Sequence, residues 1–197
     1  MEKKLLVLTA NGFADQELLP LLESLKEAGV TCTVASPKKE TLTGLEGGTL
    51  AAELKTKDVT LDLFDGVLLT GGMAPLALRV HEDSLQILRE CFETPHKPVF
   101  TMGLGAQSLI SAKVLAGRSL TADPAIHDDL RLAGARVFEK KATEQAPLYS
   151  VRSEKEREAL EKMIAEAFEG SKDPNMVSED TGDGEASEDT TPQEAPA

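Results

Sequence analysis

KPVFTMGLGAQSLISAKV, running from Lys97 to Val114, is the stretch that decides the fold. After Pro98, the run Val99-Phe100-Thr101-Met102 has the continuous apolar character of a strand buried on both faces. It breaks at Gly103-Leu104-Gly105, after which Leu109, Ile110 and Val114 fall at helical spacing. A strand that turns at once into a helix through small residues has the shape of a nucleophile elbow, whose tip residue stands above the sheet. The tip here is Gly103, which carries no side chain. Glycine also relieves the unfavourable backbone geometry that an elbow imposes on larger residues.

Outward from the elbow, strands and helices alternate. Leu5 to Leu8 and Val30 to Ser36 read as strands, and Glu17 to Ala28 between them as a helix with Leu18, Leu21, Leu22 and Leu25 on one face and Gly29 as its stop. Thr41 to Leu54, with Gly44, Gly47 and Gly48, alternates weakly and suggests a hairpin. Val67-Leu68-Leu69 is a buried strand ending at Gly71-Gly72, and Ser84 to Phe92 is helical. Beyond the elbow come a short strand near Ser119 to Thr121, a helix from Ile126 to Ala133, strands at Arg136 to Glu139 and Leu148 to Val151, and a helix from Glu154 to Phe168. Continuous apolar strands alternating with helices predict an α/β fold, a mostly parallel sheet covered on both sides.

Composition limits the functions available. The 197 residues carry a formal net charge of -13, which argues against nucleic acid or an anionic membrane as a partner. Eight acidic residues against Lys172 fall between Ser171 and Ala197, a segment too polar to offset the entropy of ordering. The expected organisation is therefore one domain over residues 1–170 and an acidic disordered tail over 171–197, which acts as a solvating appendage or an interaction arm. No stretch approaches the length needed to span a bilayer, and the short apolar run after Lys3-Lys4 suits a buried first strand better than a signal peptide. Cys32 and Cys91 sit in apolar-periodic segments, as reduced core thiols of a cytoplasmic protein would.

Together these pieces resemble the ThiJ/PfpI superfamily of intracellular proteases, glyoxalases and protein deglycases. The likeness rests on Lys4 to Thr9 with Gly12-Phe13 and Asp15-Gln16-Glu17-Leu18, and on Val34-Ala35-Ser36-Pro37. It continues through Gly71-Gly72 with Ala74-Pro75, Lys97-Pro98-Val99, Gly105 with Gln107, Leu115 to Thr121, and Pro124-Ala125-Ile126 with Asp128-Asp129-Leu130. The resemblance implies a flavodoxin-like three-layer sandwich, of the class I glutamine amidotransferase-like kind, and a homodimer.

The departures fall where such proteins keep their chemistry. Their elbow usually reads Ala-Ile-Cys-His-Gly, which makes Gly103 the vacated cysteine position and Leu104 the vacated histidine position. Their first loop usually reads Gly-Phe-Glu-Asp, which makes Ala14 the vacated acid. Cysteine catalysis needs a thiolate, and without sulfur no covalent intermediate forms. The expectation is a pseudoenzyme, silent as a cysteine enzyme, that acts by ligand binding or protein association.

Its remnant pocket is expected to be lined by Asp15, Gly72, Met102, Gly103, Leu104 and Asp123, with backbone N–H groups at Gly71-Gly72 able to hold a small anionic or carbonyl ligand. The competing expectation is a hydrolase or glyoxalase-like enzyme in which Asp15 or Asp123 activates water. Gly103 to Ser108 also approaches a dinucleotide fingerprint, with Asp123 twenty residues on, but the third small residue is serine and the unit falls mid-chain. No cofactor is expected. His127 near Asp123 lacks further ligands at metal spacing, and His81 and His96 flank a helix as surface residues, so no metal site is expected either.

Overall fold

The computed structural model describes residues 3–93 and 97–170. The expected tail from Ser171 onward, and His96, lie outside the described residues. The central sheet is built from β1 (Lys3–Leu8), β2 (Val30–Ser36), β5 (Leu54–Lys55), β6 (Gly66–Leu69), β7 (Val99–Met102), β10 (Ala142–Gln145) and β11 (Leu148–Val151). Their order across the sheet is β10-β11-β7-β6-β1-β2-β5, with every pairing parallel except that of β10 with β11.

Side chains alternate across the strands, and this sorts the core into two layers. Leu6, Leu8, Val67, Leu69 and Val99 face α2 (Ala74–Leu78), α3 (Glu82–Glu93), α4 (Gln107–Ala112) and α5 (His127–Leu132). Leu5, Val7, Leu68, Phe100 and Met102 face α1 (Asp15–Glu27) and α6 (Arg157–Gly170). The outcome is the expected three-layer α/β sandwich with a mostly parallel sheet. On α1 the inner stripe is Leu18, Leu21 and Leu25, all buried. Each fully buried leucine contributes roughly 1.5–3 kcal/mol, so these layers supply much of the driving force for folding.

Several expectations change in detail. The glycine-rich stretch is a hairpin, β3 (Thr41–Thr43) with β4 (Thr49–Ala51), standing apart from the main sheet. The strands foreseen near Ser119 and Arg136 form as β8 (Ser119–Leu120) and β9 (Arg136–Val137), but they pair only with each other. The strand β10 and the five-residue helix α2 have no clear periodic signature. Both are shorter than one amphipathic repeat needs to declare itself. Among the described residues no helix is long and apolar enough to cross a membrane.

Candidate functional site

The turn at the end of β7 has the elbow geometry. Met102 is extended at φ -127° and ψ 136°, and Gly103 then takes φ +56° and opens a 3-10 turn through Ala106 that runs into α4. A left-handed φ costs an ordinary residue roughly 1–2 kcal/mol, and glycine avoids that cost. Gly105 permits close packing on the neighbouring strand end, since a methyl group there would stand 2.6 Å from the Leu69 carbonyl oxygen. The Asp123 N–H donates to the Gly103 carbonyl at 3.3 Å, bringing the loop after β8 against the tip.

The facing wall comes from the ends of β1 and β6. Phe13 bridges Gly72, the Met73 N–H donates to the Gly12 carbonyl at 2.6 Å, and Gly72 adopts φ +74°. A side chain at Gly72 would overlap the Gly12 carbonyl and the Ala14 nitrogen, so only glycine fits that crossing. The Leu104 amide nitrogen lies beside Gly71, 3.1 Å from where a methyl group on Gly71 would stand.

The carboxyl group that meets the elbow belongs to Glu17. Its Oε2 accepts the Gly71 N–H at 2.6 Å, and its Oε1 stands 2.5 Å from where a Cβ on Gly103 would lie. The sequence reading names Ala14 as the vacated acid position and does not foresee Glu17 as the acid at the tip. Ala14 is the residue just before α1, where its carbonyl accepts from the Glu17 and Leu18 amides, and the first turn of the helix delivers Glu17 to the tip. Burial pushes the Glu17 carboxyl from its ordinary 4.5 up to about 7. The Gly71 N–H opposes that rise, and the charges of Glu154 and Asp123 add to it.

The other foreseen residues divide. Leu104 is half-buried at the elbow, and Gly72 forms the facing wall. Asp123 lies at the rim, but its Oδ1 accepts the Ala125 N–H at 2.8 Å and caps a 3-10 turn. Met102 is fully buried in the layer beneath α1 and α6, where it contributes to the core. Asp15 turns away. Its Oδ1 accepts the Gly48 N–H at 2.6 Å and its Oδ2 the Glu46 N–H at 2.9 Å, so both oxygens hold the hairpin loop. The Glu46 amide is the main cause of its lowered pKa.

His127 is buried, with Nε2 3.0 Å from the Ala122 carbonyl, and His81 is exposed at the start of α3. Among the described residues no group of three metal-ligating side chains comes together. Burial raises the thiol of Cys32 to about 11 and that of Cys91 to about 12. Neither thiol is poised for nucleophilic attack. An open groove of about 670 Å³ between α3 and α4 includes none of the elbow residues. Two of its three cations are engaged, Arg89 with Glu82 and Arg118 with the Val114 carbonyl and the Phe92 ring.

Comparison with known proteins places this geometry among relatives. The model of the DJ-1/PfpI family matches residues 3–167. The chain is 42% identical over 132 residues to Deglycase TK1284 of Thermococcus kodakarensis, covering 67% of this chain and 79% of that protein. It is 40% identical over 137 residues to Deglycase PfpI of Pyrococcus furiosus, covering 70% and 82%. Among solved structures, a ThiJ/PfpI domain protein from Brachyspira murdochii superposes with a TM-score of 0.78 at 20% identity, covering 86% of this chain and 98% of that one.

Proposed function

The chain belongs to the DJ-1/PfpI family, and we propose that within it this protein works without covalent thiol catalysis, its elbow site holding a small ligand. One observation carries the proposal. The tip of the elbow is Gly103 at φ +56°, and the group beside it is the Glu17 carboxyl, not sulfur. No covalent adduct forms at a glycine, and the thiols of Cys32 and Cys91 are held protonated in other elements. The Glu17 carboxyl, held by the Gly71 N–H, and the Leu104 amide remain, and these polar groups suit non-covalent recognition of a small polar molecule.

A thermal-shift screen of small metabolites on the wild type and on Gly103→Ala tests this, because a ligand that binds only the folded form raises its stability. Ligands that stabilise the wild type but not the variant support the proposal. Stabilisation equal in both would move the ligand away from the elbow.

A second reading, an enzyme that uses a carboxylate in place of the thiol, is favoured by Glu17 and not by Asp15 or Asp123. Only Glu17 combines a place at the tip with a pKa near 7. The relatives' deglycase names choose the assay. Turnover of methylglyoxal or glycated peptide that disappears in Glu17→Gln would establish this second reading in place of the first. The resemblance also supports a cytoplasmic homodimer, which light scattering of the purified chain tests.

A further inference from the structure

We propose that the groove between α3 and α4 holds an acidic peptide segment, and that its occupant is this chain's own tail, residues 171–197. The groove includes none of the elbow residues, so this contact is separate from the elbow and its ligand.

The groove of about 670 Å³ adjoins a second hollow of about 580 Å³, and the two share Lys113 and Ala116 just past the end of α4. Arg79, Arg89, Lys113 and Arg118 line the pair. Among the described residues, only Arg89 of these four has a carboxylate partner, Glu82. Arg118 is held by neutral groups, its Nε donating to the Val114 carbonyl at 2.8 Å and its guanidinium lying 4.5 Å from the centre of the Phe92 ring. Arg79 is held likewise, its Nε donating to Ser111 Oγ at 2.7 Å. Both bonds use Nε. Each guanidinium is therefore fixed in place while its Nη donors stay free and its charge stays uncompensated.

The arrangement of sign favours an acidic occupant. The three arginines are half-buried, whereas the acids of the lining, Glu82, Glu93 and Asp129, are exposed. Positive charge is thus set deeper than negative charge, and fixed guanidiniums with free Nη forks suit carboxylates. The rest of the chain up to Gly170 is itself net acidic, so an acidic segment meets repulsion over most of the remaining surface.

The tail meets these terms, with eight acidic residues against Lys172. It leaves α6 at the right edge of the molecule. Lys3, at the start of β1, donates to the Phe168 carbonyl, and the Phe168 ring packs against Phe100 near the start of β7. Phe92 and Glu93 of the groove close α3 at the same edge, ahead of β7. Fully extended, the tail reaches at most about 90 Å, more than the roughly 40 Å that a domain of this size measures across. Tethering holds it at an effective concentration of about a millimolar, so even a weak intrinsic affinity fills the groove.

The test is zero-length carbodiimide coupling of the full chain at low protein concentration, with the products mapped by peptide mass spectrometry. Lys26 is the control, because its helix ends at Ala28, which shares a hollow with Phe168 and Glu169 near the root of the tail. Tail carboxylates should couple to Lys113 roughly tenfold more often than to Lys26. Raising the salt to about 0.5 M, where screening acts within a few Å, should remove the preference. Arg79→Gln combined with Arg118→Gln should remove it at low salt, with Lys113 still present to report; if that variant does not fold, the salt series on the wild type decides. Coupling at Lys113 no more frequent than at Lys26, or a preference that survives salt, would overturn the proposal. Coupling at Lys113 found only in covalent dimers would overturn it too, giving the groove to the tail of a second copy.

Discussion

Replacing Glu17 by glutamine should stabilise the folded protein in mild alkali and leave it unchanged in mild acid. The carboxyl ionises near 4.5 in an unfolded chain and near 7 at the elbow. Between those values the folded state binds the extra proton, so stability falls as pH rises through this window and levels off above it. That separation corresponds to roughly 3 kcal/mol at full burial, and about 2–3 kcal/mol once the partial exposure of the carboxyl is allowed for. Glutamine carries no charge to desolvate, and its amide oxygen still accepts the Gly71 N–H. At about 2–4 °C per kcal/mol for a chain of this size, Glu17→Gln should melt roughly 4–12 °C above wild type at pH 8.5. At pH 4, below both values, the two should melt together. Urea titrations at both pH values would give the same difference in free energy, provided the m-value is unchanged. Equal shifts at both pH values, or a less stable variant at pH 8.5, would refute the claim that burial at the elbow holds this carboxyl near neutrality.

Three further outcomes follow from the same geometry. Gly103→Cys alone, with no acid added at position 14, should create a thiol beside Glu17 that alkylates faster than Cys32 or Cys91, at a cost of about 1–2 kcal/mol for the left-handed backbone. Competitive labelling read by mass spectrometry checks it. Gly72→Ala should lose more stability than Gly103→Ala, because its methyl group would meet main chain from Gly12 to Ala14 and not a movable side-chain end; chemical denaturation of the pair decides. Asp15→Asn should speed hydrogen exchange at the Glu46 and Gly48 amides. In the wild type those amides should lose protection only as pH falls through the lowered Asp15 pKa, since a depressed carboxylate stabilises the fold above that point.

Much of this molecule is legible in the chain because its central strands are short and almost wholly apolar. Leu5-Leu6-Val7-Leu8 and Val99-Phe100-Thr101-Met102 serve both layers at once, a pattern that parallel sheets demand. The elbow is legible for the same reason, as a strand that stops at glycine and restarts as a helix. Glu17 was hidden because a motif match draws attention to position 14, while what brings a group to the elbow is the helical turn. The signal was present. Glu17 is four residues before Leu21 and adjacent to Leu18, so it borders the inner stripe of α1, where a carboxylate has no reason to be unless it has a partner inside. Asp15 misleads for the opposite reason. Its partners are the amides of Glu46 and Gly48, more than thirty residues away, and such a contact leaves no local trace. The separate pairing of β8 with β9 is likewise a tertiary event, decided by which neighbours reach them and not by their two-residue patterns.

The frame around the elbow is almost wholly main chain: Gly12 N–H to the Thr43 carbonyl at 2.7 Å, Leu45 N–H to the Phe13 carbonyl at 3.0 Å, Met73 N–H to Gly12 and Asp123 N–H to Gly103. Peptide groups are common to all residues, so this lattice of bonds is indifferent to which side chains it presents. A lineage can therefore erase a reactive residue at the tip, and later write in another, without passing through a collapsed intermediate. On such a frame, scaffold and chemistry are free to vary separately.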